Sequence, residues 1–261
     1  MNTPFTPQQL SNNQLRKVIP VLIAATFLAL SSPIASANIL YEEYFEQGPG
    51  ISAPPPEWQT IHPNQWVENG WLHSADQNGW PRDSEALVHD NDTAWTNYQL
   101  EASVQMLGPW TNATLLLRSQ GYSRSSGGSA GQAYELAFLD QGAMAGPINR
   151  VTLTRVDCRF TCTATELASA PFVLDRNASF NVTTLLIGGH IQVTANGLSV
   201  IDVNDANPIT YGGIGIHSIW ETHNRFDNFK VTAVPEPESF VLLGAGLLML
   251  LGIRTQKNRI I

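Results

Sequence analysis

Glu135 and Asp140 are the closest thing in this chain to a catalytic acid pair on a strand. A retaining glycosidase needs two carboxylates about 5–5.5 Å apart. Residues five apart on a strand fall on opposite faces, so Glu135 and Asp140 do not qualify. Asp83 and Glu85 have matching parity, but Pro81 and Ser84 give that stretch the character of a loop. No E-x-D-x-E run occurs in the body of the chain, which counts against glycoside hydrolysis without settling whether the protein is an enzyme. A G-x-S-x-G elbow is absent, and the six histidines show no H-E-x-x-H spacing. His217 and His223 flank Trp220 and read as polar loop histidines that could meet in space.

Cys158 and Cys162 form a C-x-x-x-C, too few ligands for zinc and without the C-x-x-C helix terminus of a redox site. Three residues between them suit a tight loop after a strand at Arg150–Val156, and the pair is expected to be a structural disulfide in an exported protein.

The remaining candidates are groups that could hold a ligand. Trp80, Trp110 and Trp220 stand in loop-like sequence, whereas Trp66, Trp71 and Trp95 stand on or beside strands and read as core. Arg118 follows Leu115, Leu116 and Leu117, where a guanidinium could reach a cleft while its stem packs. Tyr134 lies on a neighbouring candidate strand. Trp110, Arg118, Tyr134 and Trp220 are therefore the expected ligand-binding residues, on one sheet face and its rim. They offer stacking and neutral hydrogen bonding, which suits an uncharged glycan.

Charge supports that choice. The chain carries 22 acidic and 14 basic residues, a formal charge of −8. The basic residues Arg16, Lys17, Arg254, Lys257 and Arg259 and the acidic Glu236 and Glu238 lie at the ends, so the body between them has a charge of about −11. Such a body lacks the basic face that nucleic-acid binding requires, and it repels anionic polymers and membranes.

The ends separate from the body. Arg16 and Lys17, the apolar run Ile19–Leu30 and the Ala35-Ser36-Ala37 site read as a signal peptide over residues 1–37, cut by signal peptidase. Residues 234–261 hold Pro235-Glu236-Pro237, an apolar helix at 240–253 and a basic end at 254–259. Fourteen helical residues span about 21 Å, short for a lasting anchor. The basic end should stay cytoplasmic, leaving the body outside.

The body, residues 38–233, reads as strands almost throughout. From Tyr98 to Leu107, apolar and polar residues alternate with period two. Asn69-Gly70 joins Gln65–Glu68 to Trp71–His73, and Asn196-Gly197 joins Ile191–Ala195 to Leu198–Val203, both as type I′ turns. Further strands are expected at Ile39–Phe45, Thr114–Ser119, Ala133–Leu139, Arg150–Val156, Thr163–Leu167, Ser179–Ile187, Gly213–His217 and Phe226–Thr232, with Ser123–Gly131 as a flexible loop. About a dozen strands without a helical stripe mean an all-β two-sheet antiparallel sandwich or a barrel.

Two resemblances add to this. The Pro-Glu-Pro motif, short helix and basic terminus, in that order, resemble the PEP-CTERM sorting tail of Gram-negative bacteria. That implies handling by an exosortase, a transient stay in the inner membrane, and a place at the cell surface or in an exopolysaccharide and biofilm matrix. The body resembles the concanavalin A-like jelly rolls, among them laminin-G-like modules, laminarinase-type hydrolases and 3-keto-glycoside hydrolase-like domains. The resembling pieces run in order from Trp66-Val67-Glu68-Asn69-Gly70-Trp71-Leu72, through Trp95–Ala102, Leu115–Arg118, Ile191–Val203 and Gly212–Ile216, to Phe226-Asp227-Asn228-Phe229-Lys230-Val231. The resemblance implies that Tyr41–Phe45 pairs with Phe226–Val231, and that Glu43 and Asp227 would be ligands of a structural Ca²⁺. It leaves three functions open: non-catalytic glycan or exopolysaccharide binding, which leads; a keto-glycoside hydrolase-like enzyme; and a purely structural matrix protein.

Overall fold

The computed structural model describes residues 38–48, 50–60, 65–75, 84–88, 95–107, 112–125, 128–141, 148–176, 178–218 and 223–235. All of them belong to the unit Ala37–Pro235. The signal segment with Ala35 and Ala37, the tail from Glu236 and Pro237 onward, and Trp80, Trp110 and Trp220 lie outside the described residues.

Among the described residues, fifteen strands build two antiparallel sheets and there is no helix. The eight-stranded sheet contains β1 (Ile39–Glu43), β3 (Gln65–Glu68), β4 (Trp71–Ala75), β6 (Tyr98–Met106), β11 (Phe180–Ile187), β12 (His190–Ala195), β13 (Leu198–Asn204) and β15 (His223–Ala233). Its order is β13-β12-β11-β6-β15-β4-β3, with β1 also on β15. The seven-stranded sheet contains β2 (Trp58–Thr60), β5 (Ser84–Val88), β7 (Asn112–Ser125), β8 (Gly128–Gln141), β9 (Ile148–Asp157), β10 (Thr163–Pro171) and β14 (Gly213–Ser218), in the order β10-β9-β8-β7-β14-β5-β2. The architecture is a jelly-roll sandwich, as the sequence leads one to expect. The first and last strands do pair, with Tyr41 opposite Val231 and Glu43 opposite Phe229.

Period-two patterning explains the core. Leu100, Val104, Val182, Val193 and Phe226 from one sheet meet Leu115, Leu136, Phe138, Leu153, Ile214 and Ile216 from the other, all buried. Each such side chain contributes roughly 1.5–3 kcal/mol relative to exposure. Both Asn-Gly hairpins form as expected, with positive φ at Asn69, Gly70, Asn196 and Gly197.

The structure corrects two local expectations. Ser123–Gly131 is not a loop through most of its length, because β7 and β8 continue as a paired ribbon out to Ser125 and Gly128. Gly121 and Gly131, both with positive φ, allow it: a Cβ on Gly131 would stand 2.2 Å from Gly121 O. Ser84–Val88 is a strand rather than a loop, since its backbone pairs with both β14 and β2.

Candidate functional site

Alternation that buries Leu115, Leu136 and Ile216 turns the intervening residues of the seven-stranded sheet outward. Two rows of this outward face cross its middle. In one, Gly215 of β14, Leu116 of β7, Glu135 of β8 and Thr154 of β9 stand in register. In the next, Glu85 of β5 is opposite His217 of β14, which is opposite Thr114, then Ala137 and Thr152. His217 and Glu135 stand on a diagonal between these rows, so the imidazole and the carboxyl approach each other across β7 at Thr114 and Leu116. His217 Nδ1 is 3.8 Å from Glu135 Oε1. Tyr122 donates its hydroxyl to the same Oε1 at 2.5 Å.

These three groups are nearly closed to solvent. Glu135 is 8% exposed, and His217 and Tyr122 are 0% exposed. Leu116, Tyr122, Ala133, Val156 and Cys158 form a second apolar cluster beside them, separate from the core between the sheets. A carboxylate, an imidazole and a phenol in such surroundings interact more strongly than in water. The set can bind hydroxyl groups, and it can also move a proton.

The expected ligand residues fare differently. Trp110 and Trp220 lie outside the described residues. Arg118 does not reach a cleft; it is fully buried. Its φ is +47°, and the β7 ladder shifts register just beyond Leu117. That bulge turns the side chain inward although its parity points outward. The guanidinium donates to Thr96 O at 3.0 and 2.6 Å, to Gly188 O at 2.6 Å and to Ile209 O at 2.5 Å. Burial lowers its pKa, which the Tyr98 and Tyr134 hydroxyls partly offset.

Tyr134 is likewise interior. Its hydroxyl donates to Asp205 Oδ2 and accepts from the Ile209 amide, each at 2.9 Å. Burial is the main reason its pKa is pushed up to about 12. Arg118 and Tyr134 thus hold the Asp205–Gly212 segment against the sandwich instead of meeting a glycan.

The histidine reading also changes. His217 lies on β14 and His223 on β15, in different sheets, and His223 meets His73 instead. Trp66 and Trp71 are half-buried on the outward side of the eight-stranded sheet, not in the core. Trp95 does pack against the core. Asp140 faces away from Glu135 as alternation requires, and it pairs with Arg176. Cys158 and Cys162 are disulfide-bonded.

For the expected calcium ligands the geometry is partial. Asp227 Oδ1 is buried and makes no hydrogen bond. Desolvation pushes the Asp227 pKa up to about 6, with Glu46 and Glu43 adding to the rise. Glu43 Oε1 accepts from Phe45 N at 2.6 Å. Among the described residues no group of three or more His, Cys, Asp or Glu gathers as a metal centre. Ca²⁺ takes six to eight oxygens, so the balance of a shell would come from backbone and water.

Residues 49–232 match the 3-keto-alpha-glucoside-1,2-lyase-like domain. The chain belongs to that family. No curated protein matches it in sequence. Solved structures share the fold of this lyase-like domain at low identity. The carbohydrate binding module CBM66 from Bacillus subtilis is 13% identical with a TM-score of 0.51, over 70% of this chain and 96% of that one. The exoplasmic/lumenal domain of VIP36, in a Ca²⁺/Man3GlcNAc-bound form, is 11% identical with a TM-score of 0.53, over 72% and 88%. The catalytic domain of an endo-1,3-beta-glucanase (laminarinase) from Thermotoga petrophila RKU-1 is 8% identical with a TM-score of 0.52, over 77% and 99%.

Tyr122, Glu135 and His217 of the lyase-like domain were not picked out together by their sequence. Glu135 and His217 each have outward parity on a strand, but only the order β8-β7-β14 makes them neighbours.

Proposed function

We propose that this is an exported carbohydrate-binding domain that engages a neutral glycan at the outward face of the seven-stranded sheet. The observation that carries the reading is the Tyr122–Glu135–His217 cluster in the middle of that face, bordered by the hydroxyls of Thr114, Thr152 and Thr154. A carboxylate, an imidazole and several hydroxyls are the groups that hydrogen-bond sugar hydroxyls. Export rests on the Ala35–Ala37 site, and sorting to the surface or matrix of a Gram-negative cell by an exosortase rests on Pro235-Glu236-Pro237. A structural calcium ion at Glu43 and Asp227 belongs to the same proposal, supported by the bare Asp227 Oδ1.

The same cluster favours a second reading, elimination on a 3-keto glycoside, in keeping with the family. A ketone at C3 acidifies the C2 proton. A base removes that proton, the electron pair forms a C1=C2 double bond, the C1–O bond breaks, and the departing oxygen takes up a proton. Glu135 is the base and His217 its proton partner in this scheme. General acid–base catalysis of this kind contributes about 10²–10⁴-fold.

The purified protein on a panel of neutral oligosaccharides, with a 3-keto-glucoside assayed alongside for the enone product, tests both. Binding without product, weakened in Glu135→Gln, supports the first reading. Enone formation lost in Glu135→Gln selects the second. Neither binding nor turnover would refute both.

A further inference from the structure

We propose that the outward face of the eight-stranded sheet is a separate carbohydrate-binding surface, independent of the Glu135 cluster, and that its ligand is an uncharged polysaccharide. Four residues stand in one cross-strand row. Trp66 of β3 is opposite His73 of β4, His73 is opposite Arg225 of β15, and Arg225 is opposite Gln105 of β6. At about 4.8 Å per strand the row is ~14 Å long, and it lies on the far side of the sheet from the core residues Val67, Leu72, Phe226 and Val104.

Each member is fixed by its neighbours. Trp66 stacks on His73 with ring centroids 5.1 Å apart and planes 14° from parallel. His73 Nδ1 and His223 Nε2 are 2.9 Å apart. The Arg225 guanidinium lies 4.6 Å from the Trp71 ring centroid and donates to Gln105 Oε1 at 2.9 and 2.6 Å. The result is a rigid strip of aromatic faces and amides, ordered before any ligand arrives. Preordered aromatic platforms bind with little loss of side-chain entropy.

An outward sheet face has no packing need for two tryptophans, and here both remain half-buried. The half-buried Trp66, Trp71 and His223 rings suit the apolar faces of sugar rings and Arg225 suits hydroxyl oxygens, while His73 and Gln105, 5% and 7% exposed, form the floor that holds them. The strip itself offers a polyanion only one cationic group, the Arg225 guanidinium. Burial, then the neighbouring His223, hold the His73 pKa down to about 4, so the imidazole pair is neutral near pH 7. Arg225 is the one fixed charge in the row, and its partner is a neutral amide. The surrounding body, at about −11, repels anionic polymers.

Affinity electrophoresis of the full chain in native gels tests the inference, with dextran and laminarin as neutral probes and alginate as the anionic one. Retardation by at least one neutral glucan and none by alginate is expected. Trp66→Ala and Arg225→Gln should each reduce the association constant at least tenfold, with unchanged circular dichroism; Arg225→Gln is the variant to read if Trp66→Ala fails to fold. Absence of retardation by both glucans overturns the proposal. So does retardation that survives both substitutions, or equal retardation by alginate. Loss in Glu135→Gln equal to that in Trp66→Ala would place the polymer on the opposite sheet and overturn it as well.

Discussion

Replacing Arg118 should unfold the protein more readily and should leave carbohydrate binding alone at temperatures where the variant is folded. The guanidinium makes four hydrogen bonds to three backbone carbonyls, on Thr96, Gly188 and Ile209, which belong to three different connections. Its backbone amide also donates to Tyr98 Oη at 2.9 Å. In Arg118→Ala the three carbonyls lose their donor, and hydrogen bonds to charged groups are worth roughly 1.5–3 kcal/mol each. Relief from burying an ion without a carboxylate partner offsets part of this, so a net loss of about 4 kcal/mol is expected. For a domain of this size that lowers Tm by about 8–16 °C. Arg118→Lys keeps the charge but cannot reach three carbonyls with one ammonium, so about half the loss should remain. Thermal and urea unfolding followed by circular dichroism measure the effect. An alanine variant melting within about 2 °C of wild type, yet losing glycan binding, would refute the interior role and restore Arg118 to the ligand site.

Three further outcomes follow from particular contacts. The Cys158–Cys162 bridge closes a loop with a sequence separation of 4; replacing both with serine should cost about 2 kcal/mol, and denatured, unreduced wild type should take up no thiol reagent. Gly131→Ala forces a Cβ against Gly121 O from a φ of +69°, so the urea midpoint should fall by the equivalent of about 3 kcal/mol; an unchanged midpoint would mean the ribbon is not so close there. Asp227 has its folded pKa raised from 3.8 to about 6, so its neutral form favours folding below pH 3.8 and that advantage is lost as pH rises through 6. The shift corresponds to ~3 kcal/mol unscreened and about 1 kcal/mol for a half-exposed carboxyl. In a chelator, Asp227→Asn should therefore be more stable than wild type at pH 7.5 and equal to it below pH 3.8. Added calcium should raise the wild-type Tm and not that of the variant; a rise in both would remove Asp227 from the ligand set.

What was legible in the sequence is what depends on local spacing. Alternation from Tyr98 onward marked a half-buried strand, and Asn69-Gly70 and Asn196-Gly197 marked the turns, because a two-residue turn with positive φ at both positions fixes its hairpin. The same logic reaches further. Once Asn69-Gly70 is a two-residue turn, Glu68 must face Trp71 and Trp66 must face His73, so the stacked pair was implicit in the sequence. Standing on or beside strands assigns Trp66 and Trp71 to the core, whereas their parity, opposite to that of the buried Val67 and Leu72, is outward.

Arg118 departs from its sequence pattern for the opposite reason. Its parity is outward, and a bulge reverses it through a positive φ that non-glycine residues seldom adopt. Nothing in Leu115-Leu116-Leu117-Arg118 encodes that bulge. The facing segment does: Gly212 has a φ of +143°, and a Cβ there would lie 2.4 Å from the Arg118 carbonyl carbon. The inward turn of Arg118 is thus written at a glycine distant in sequence. The pairing of Glu135 with His217 is distributed in the same way, since it needs β7 threaded between β8 and β14 in the register that sets Thr114 opposite His217 and Leu116 opposite Glu135. Sites assembled from three strands are properties of strand order, and strand order in a jelly roll is set by which edges the long connections reach, not by the residues that end up side by side.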